Sequence, residues 1–260
     1  MSAASTVEAT GLSVGYGRRA VLSGVTLQLP GGSALALVGA NGSGKSTILK
    51  TVAGLLPAVM GTVRVFGDAP GRNPPRVAYL SQFHPSESAL PLRVIDVVRM
   101  ARYASLGLLR WRTSEDERLV HAALEAMQVT ELSGEPLSAL SGGQRQRVFL
   151  AQAVARGADL LLLDEPEANL DVVGKDACRA MIRRAVQQGG TVIVATHDIN
   201  EASRFDFAML LAQRVVAFGA GRSVMTPEAL IATFGVTARI EGGTVVVSEH
   251  EHGREPPGPD

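Results

Sequence analysis

Apolar residues recur along this chain with two different periods, and the places where the period changes divide it into elements. Over residues 7–38, short apolar runs broken by glycine turns predict an antiparallel β patch, with Leu12-Ser13-Val14 and Val25-Thr26-Leu27-Gln28-Leu29 as strands. Ala34-Leu35-Ala36-Leu37-Val38 is apolar throughout and bounded by glycines, which suits a strand covered on both faces. Val63-Arg64-Val65-Phe66 before Gly67-Asp68 adds a strand and a turn, and Val77-Ala78-Tyr79-Leu80 adds a core strand ending near Gln82. Leu160–Leu163 and Thr191–Ala195 are further apolar strands, while Ala208–Leu211 and Arg214–Gly219 form a closing hairpin. Helical spacing is expected over Thr47–Ala53, Val94–Met100, Glu115–Met127, Gly174–Gln188 and Ile199–Phe205. The pattern predicts an α/β fold with an antiparallel β subdomain and a helical subdomain over about residues 88–158.

One strand-to-helix junction carries chemistry. Gly39-Ala40-Asn41-Gly42-Ser43-Gly44-Lys45-Ser46 reads G-x-x-x-x-G-K-S between the strand ending at Val38 and the helix beginning near Thr47. The glycines admit positive φ and bring backbone N–H groups close to phosphate oxygens. The helix start adds the positive end of its dipole. Lys45 is placed to reach the β- and γ-phosphates, and the Ser46 hydroxyl to ligate Mg²⁺. This loop binds a nucleotide; its use has to come from other residues.

Leu140-Ser141-Gly142-Gly143-Gln144 opens a second helix. Ser141 is a good N-cap, and Gln144 three residues later completes a capping box. Gly142 and Gly143 leave that helix start bare enough to accept a phosphate. Downstream, Leu160-Leu161-Leu162-Leu163-Asp164-Glu165 is an apolar strand ending in two acids, which are costly to bury without a cation or a chemical role.

Taken together, these segments resemble the ATP-binding cassette (ABC) ATPases, whose signature LSGGQ is matched letter for letter. The resemblance runs from about Val7 to about Phe234. It implies a P-loop NTPase core of the ABC type, with ATP and Mg²⁺ as ligands. It further implies that Tyr16 stacks on adenine, that Gln82 approaches Mg²⁺ and the attacking water, and that Asp164 holds Mg²⁺. Glu165 matches the catalytic base, Asp171 the characteristic residue of the D-loop, and His197 the switch histidine at the γ-phosphate. Nucleotide contacts are expected from Gly39, Asn41, Gly42, Ser43, Gly44, Lys45, Ser46 and Thr47, and from Ser141, Gly142, Gly143 and Gln144 of a second copy packed head to tail. Read alone, Tyr16 is also compatible with a turn aromatic and Gln82 with a solvated loop residue. His197 follows a strand at the sheet edge where α/β folds bind ligands, which favours the functional reading. Two departures stand out: Glu167-Ala168-Asn169 follows Pro166 where an aromatic or small residue is more usual, and Ser81 replaces a frequent proline before Gln82.

Bulk numbers narrow the class. The 260 residues with 46% hydrophobic content are ample for one large core. Lys+Arg and Asp+Glu both total 25, so no basic excess points to nucleic acid. Cys178 has no partner for an internal disulfide and reads as a packed core residue. No run approaches the roughly 20 apolar residues of a membrane span, and no secretory leader is evident. If the chain powers transport, the channel is another polypeptide. The ABC resemblance implies that this is an integral-membrane permease fed by an extracellular substrate-binding protein, with this chain as a homodimer at the cytoplasmic face of the cell membrane.

A P-loop kinase would have no use for LSGGQ, and a DNA-repair ATPase of the ABC type would need a long coiled-coil insertion. A single cassette over 1–240, followed by a tail over 241–260, fits a transporter motor. Leu92 to Tyr103, then Leu106-Gly107 and Trp111, is similar to the region after the Q-loop in zinc and manganese importer motors, with siderophore or cobalamin importers as the alternative. The apolar stretch Ser105–Trp111 is expected to dock on the permease. His250 and His252 flank Glu251 in a Pro/Gly/charge-rich tail and are more often inert than metal-binding.

Overall fold

A computed structural model of the chain describes residues 5–82, 92–106, 113–235, 237–241 and 244–248. Two sheets organise it. The first is antiparallel, in the order β2-β1-β4, with β1 spanning Ser5–Tyr16, β2 Arg19–Pro30 and β4 Met60–Val65. The second has six strands in the order β5-β6-β7-β3-β8-β9. Its members are β3 (Ala34–Val38), β5 (Val77–Leu80), β6 (Leu160–Asp164), β7 (Thr191–Thr196), β8 (Phe207–Leu211) and β9 (Val215–Ala220). All its pairings are parallel except β8 with β9, which form the expected hairpin.

The apolar runs of β3 and β6 follow from this placement. Leu35, Leu37, Leu160 and Leu162 face a core shared with the antiparallel sheet and with α1 (Lys45–Val52). Leu161 and Leu163 face the opposite core, built against α2 (Val94–Leu106), α3 (Ser114–Ala126), α4 (Gly142–Ala155) and α5 (Val172–Gln187). A strand buried on both faces has no reason to alternate. Cys178 lies fully inside this second core, as its isolation implied.

Several boundaries differ from the sequence expectation. Ser105 and Leu106 belong to the end of α2 rather than to a loop, and residues 107–112, including Trp111, lie outside the described residues. The helix expected over Ile199–Phe205 stops at Ala202, giving a four-residue α6 (Ile199–Ala202). Arg204 N–H donates to Glu201 O and Phe205 N–H to Ala202 O, so the chain tightens into turns there. A further helix, α7 (Pro227–Phe234), starts at the Thr226 cap with Pro227 in its first turn and ends at Gly235 with φ 69°. A last ladder pairs β10 (Thr237–Glu241) with β11 (Thr244–Ser248), joining residues on either side of position 240. His250 and His252 lie outside the described residues.

Candidate nucleotide site

The P-loop leaves the C-terminal end of β3 and enters α1. Gly44 takes φ 105°, and a methyl on it would meet Leu22 Cβ at 2.8 Å, so glycine is required twice over. Gly39 passes so close to the Leu211 carbonyl that no side chain fits. Asn41 and Gly42 are exposed, whereas Ser43, Lys45 and Thr47 are buried. The loop curls around its own lysine: Lys45 Nζ donates to Gly39 O at 2.7 Å and to Ala40 O at 3.1 Å. Burial lowers the Lys45 pKa, and the negative charges of Glu165 and Asp164 oppose that shift. Ser43 Oγ is buried with no hydrogen-bond partner among the described residues, a polar atom available to a ligand.

Strands β6 and β7 bring the acids to the loop. Ser46 Oγ donates to Asp164 Oδ1 at 3.0 Å. Burial raises the Asp164 pKa, with the Ser46 hydrogen bond acting against it. Tyr79 on β5 sets its hydroxyl 3.5 Å from Asp164 Oδ2, and its own pKa is raised by burial and then by that carboxylate. Tyr79 has no motif to announce it; only the parallel register of β5 on β6 places it there.

Glu165 follows with φ 49°, a conformation that non-glycine residues seldom adopt and that costs about 1–3 kcal/mol. Its N–H donates to Ala195 O at 3.0 Å, which ties the turn to β7. Gln82 Nε2 donates to Glu165 Oε2 at 3.1 Å, so β5 and β6 deliver the two expected partners to each other. His197 lies one residue past β7, exposed, and opens with Glu165, Asn169 and Thr196 onto one cavity of about 330 Å³.

Tyr16 stands 55% exposed at the tip of the β1–β2 hairpin, where it pairs with Arg19. Asp171 Oδ1 accepts the Gly174 N–H at 2.8 Å and caps α5.

The capping box at Ser141 forms as expected. Gln144 N–H donates to Ser141 Oγ at 3.3 Å and Ser141 N–H to Gln144 Oε1 at 2.9 Å. Gly143 lies so near the Asn169 carbonyl that a methyl there would sit 2.8 Å from it. Within one chain α4 packs on α2, α3, α5 and β5, whereas α1 packs on β1, β4, β6 and β7. The two glycine-rich helix starts thus belong to different parts of the fold. Gln146, which carries no expectation from the sequence, is fully buried and donates through Nε2 to Pro166 O at 3.0 Å.

A family model for ABC transporters matches residues 22–168, more than half of the chain. The chain is a member of the ABC transporter family. It is 36% identical to the manganese transport system ATP-binding protein MntB of Bacillus subtilis over 88% of this chain and 92% of that protein. It is 37% identical to the zinc transport system ATP-binding protein TroB of Treponema pallidum over 88% and 86%. It is also 35% identical to the iron(3+)-hydroxamate import ATP-binding protein FhuC of Bacillus subtilis over 88% and 87%. As an ABC ATP-binding subunit the chain binds and hydrolyses ATP and works with a membrane permease. No helix among the described residues is long and apolar enough to cross a membrane.

Proposed function

We propose that this chain is the motor of an importer for a divalent metal, zinc or manganese, with the P-loop and the Asp164-Glu165 turn as its ATPase centre. The observation that carries the ATPase reading is the pair of contacts Ser46–Asp164 and Gln82–Glu165, which gather a hydroxyl, two carboxylates and an amide beside Lys45. For the cargo, the support is the manganese and zinc transport relatives, which align over 88% of the chain.

Hard oxygen donors suit magnesium. Ser46 Oγ and Asp164 Oδ1 are already 3.0 Å apart, and burial leaves the Asp164 carboxylate in need of positive charge. These two residues, with Gln82 nearby, would hold the ion, which when bound supplies positive charge to the phosphate oxygens. The rest is done by the chain. Backbone N–H groups of Gly42–Ser46 and the Lys45 ammonium take the phosphates, and Tyr16 stacks on adenine. Glu165 accepts a proton from the attacking water, Gln82 orients both, and His197 donates toward the γ-phosphate.

Two copies packed head to tail complete the centre. Ser141, Gly142, Gly143 and Gln144 of one copy then cover the γ-phosphate held by Lys45 of the other, with the Asp171 loop at the seam. Val172 and Val173, 77% and 50% exposed beside Asp171, give that seam apolar surface. The dimer sits at the cytoplasmic face of the membrane on its permease, which receives cargo from an extracellular binding protein. The FhuC likeness favours a second reading, import of an iron chelate. Reconstituting the chain with its permease in vesicles separates them: ATP-driven uptake of zinc or manganese is the expected result, and uptake of ferric hydroxamate alone would replace it with the second.

A further inference from the structure

Glu167 departs from the usual small or aromatic residue after Pro166, and its side chain is turned inward. It is 15% exposed, and Arg179 on α5 donates through Nη2 to Glu167 Oε2 at 3.1 Å. The Nε of the same guanidinium donates to Glu201 Oε1 at 3.1 Å. Glu201, on α6, is 10% exposed. Three segments meet here: the turn that carries Glu165, the helix after it, and the segment that begins at His197.

Two buried carboxylates share one guanidinium, so full ionisation leaves a net negative charge in a low-dielectric place. Glu167 Oε1 lies 3.1 Å from Arg179 Nε but accepts no aligned hydrogen bond among the described residues. A buried carboxylate oxygen whose neighbouring donor is misaligned is a position that a proton relieves.

We propose that Glu167 is a positioning residue for ATP hydrolysis, linking the turn that carries Glu165 to the segment that carries His197 through Arg179 and Glu201. Pro166, with its fixed φ, separates Glu165 from Glu167, so a displacement of the Glu167 side chain is passed to Glu165 with little slack. The far side of the turn is anchored separately by Gln146 on Pro166 O and by Glu165 N–H on Ala195 O. The Glu167 link adds a second tie, through Arg179 to Glu201, on the far side of His197 from Ala195.

The electrostatics agree with this geometry. Burial, and then the Glu201 carboxyl, push the Glu167 pKa up to about 8, with Arg179 acting against them. From α5 the titratable and charged groups facing this junction are Arg179, Asp176 (71% exposed, 3.8 Å from Arg179 Nη1), Lys175 and the buried thiol of Cys178, which burial and then Glu167 and Glu201 keep protonated. From the His197 segment they are His197, Asp198 and Glu201, and from its own turn Glu165. With Glu167 protonated the two acids and the guanidinium are neutral together. Loss of that proton adds a charge that the lining side chains Leu170, Ile182 and Val194 do not solvate.

The inference rests on Glu165 as base and His197 as γ-phosphate contact. Full-length chain is assayed for ATPase activity from about pH 6 to about pH 9.5, with melting temperature measured beside it. Glu167→Ala is expected to lower kcat roughly tenfold with KM unchanged, the mark of misplaced catalytic groups rather than weakened binding. In the native chain the junction gives an alkaline limb with an apparent pKa of about 8. Glu167→Gln, a permanently neutral hydrogen-bonding isostere, is expected to recover most of the rate lost in Glu167→Ala and to flatten that limb. Wild-type kcat in Glu167→Ala, or an unaltered alkaline limb in Glu167→Gln, overturns the link. Should Glu167→Ala fail to fold, the Glu167→Gln profile alone decides. Glu165→Gln and His197→Ala are run in parallel: wild-type turnover in either shows that the assigned roles, not the link, are at fault.

Discussion

The Ser46 hydroxyl donates to Asp164 Oδ1 across 3.0 Å, joining two positions 118 residues apart. Neither has this partner by local sequence. β6 and β3 flank β7 in one parallel sheet, and parallel strands deliver their C-terminal ends to the same edge. If this pair holds magnesium, Ser46→Ala removes one oxygen from the set and leaves Asp164 more strongly desolvated. Hydrolysis is expected to fall roughly a hundredfold, the scale for loss of one preorganised polar group at a reacting phosphate. The remaining rate should need a higher magnesium concentration for half-activation. An unchanged magnesium titration would assign the ion to other residues.

Glu165 is the acid next to the pair, held at φ 49° with Gln82 on its carboxylate. Glu165→Gln keeps the shape and the Gln82 contact but cannot accept a proton. Turnover should drop by about 10²–10⁴-fold while ATP binding persists. The isolated chain should then accumulate as an ATP-bound dimer on gel filtration. A variant that hydrolyses ATP like the native chain places the base elsewhere.

Sharing of the site between copies has its own test. α4 and α1 pack on different neighbours within one chain, and the proposed head-to-tail arrangement has Ser141 of one copy facing the phosphate on Lys45 of the other. Ser141→Arg puts bulk and charge into the facing site, and Lys45→Ala empties its own site of the phosphate-binding ammonium. Each variant alone should lose most ATPase activity. Mixed dimers carry one site spoiled twice and one site intact, so equimolar mixing should restore part of the rate. Full activity in Ser141→Arg alone would end the head-to-tail arrangement.

The P-loop, the Ser141 capping box and the acids after β6 were legible because each is a local pattern with a local physical cause. Glycine at Gly44, the cap at Ser141 and four leucines before Asp164 need no knowledge of the rest of the fold. Tyr79, Gln146 and the Glu167–Arg179–Glu201 junction were not legible in this way. Their partners come from elements separated by whole strands and helices, and their spacing has no period. The helix α7 was within reach, since Thr226, Pro227 and Gly235 are ordinary start and stop residues. α6 stops at Ala202 although the residues after it are helix-compatible, because the chain has to turn there to enter β8.

The helical subdomain depends on one buried acid. Thr113 and Asp116 form a capping box on α3, and Arg102 from α2 donates to Asp116 Oδ1 at 2.9 Å. Arg102 Nη1 also reaches Ala155 O and Arg156 O at the end of α4, so one side chain joins three helices. Hydrogen bonds from the Thr113 backbone and hydroxyl, and then Arg102, hold the Asp116 pKa at about 2, below its ordinary 3.8. A depressed carboxylate pKa contributes stability that is present above the ordinary value and is lost as pH falls through the depressed one. Melting temperature should therefore decline between about pH 4 and about pH 2, and Asp116→Asn should flatten that decline. Thr113→Ala should cost about 1 kcal/mol at neutral pH. An Asp116→Asn chain with the native acid profile would remove Asp116 from this account.

Cargo is read least directly, because the ATPase centre never touches it. The roles proposed for Lys45, Asp164 and Glu165 concern ATP alone. On this proposal cargo choice is left to the permease, and residues 107–112 of the stretch expected to dock on it lie outside the described residues. Tyr103 and Met100 on α2 are 52% and 48% exposed. The proposed cargo is zinc or manganese. Cells lacking this chain should therefore hold less zinc or manganese and stop growing in chelator, and adding back the transported metal should restore growth. A Glu165→Gln copy should fail to complement, which ties the phenotype to hydrolysis rather than to assembly. Normal uptake of both metals, together with lost uptake of a ferric chelate, would transfer the motor to an iron-chelate importer while leaving its ATPase chemistry unchanged.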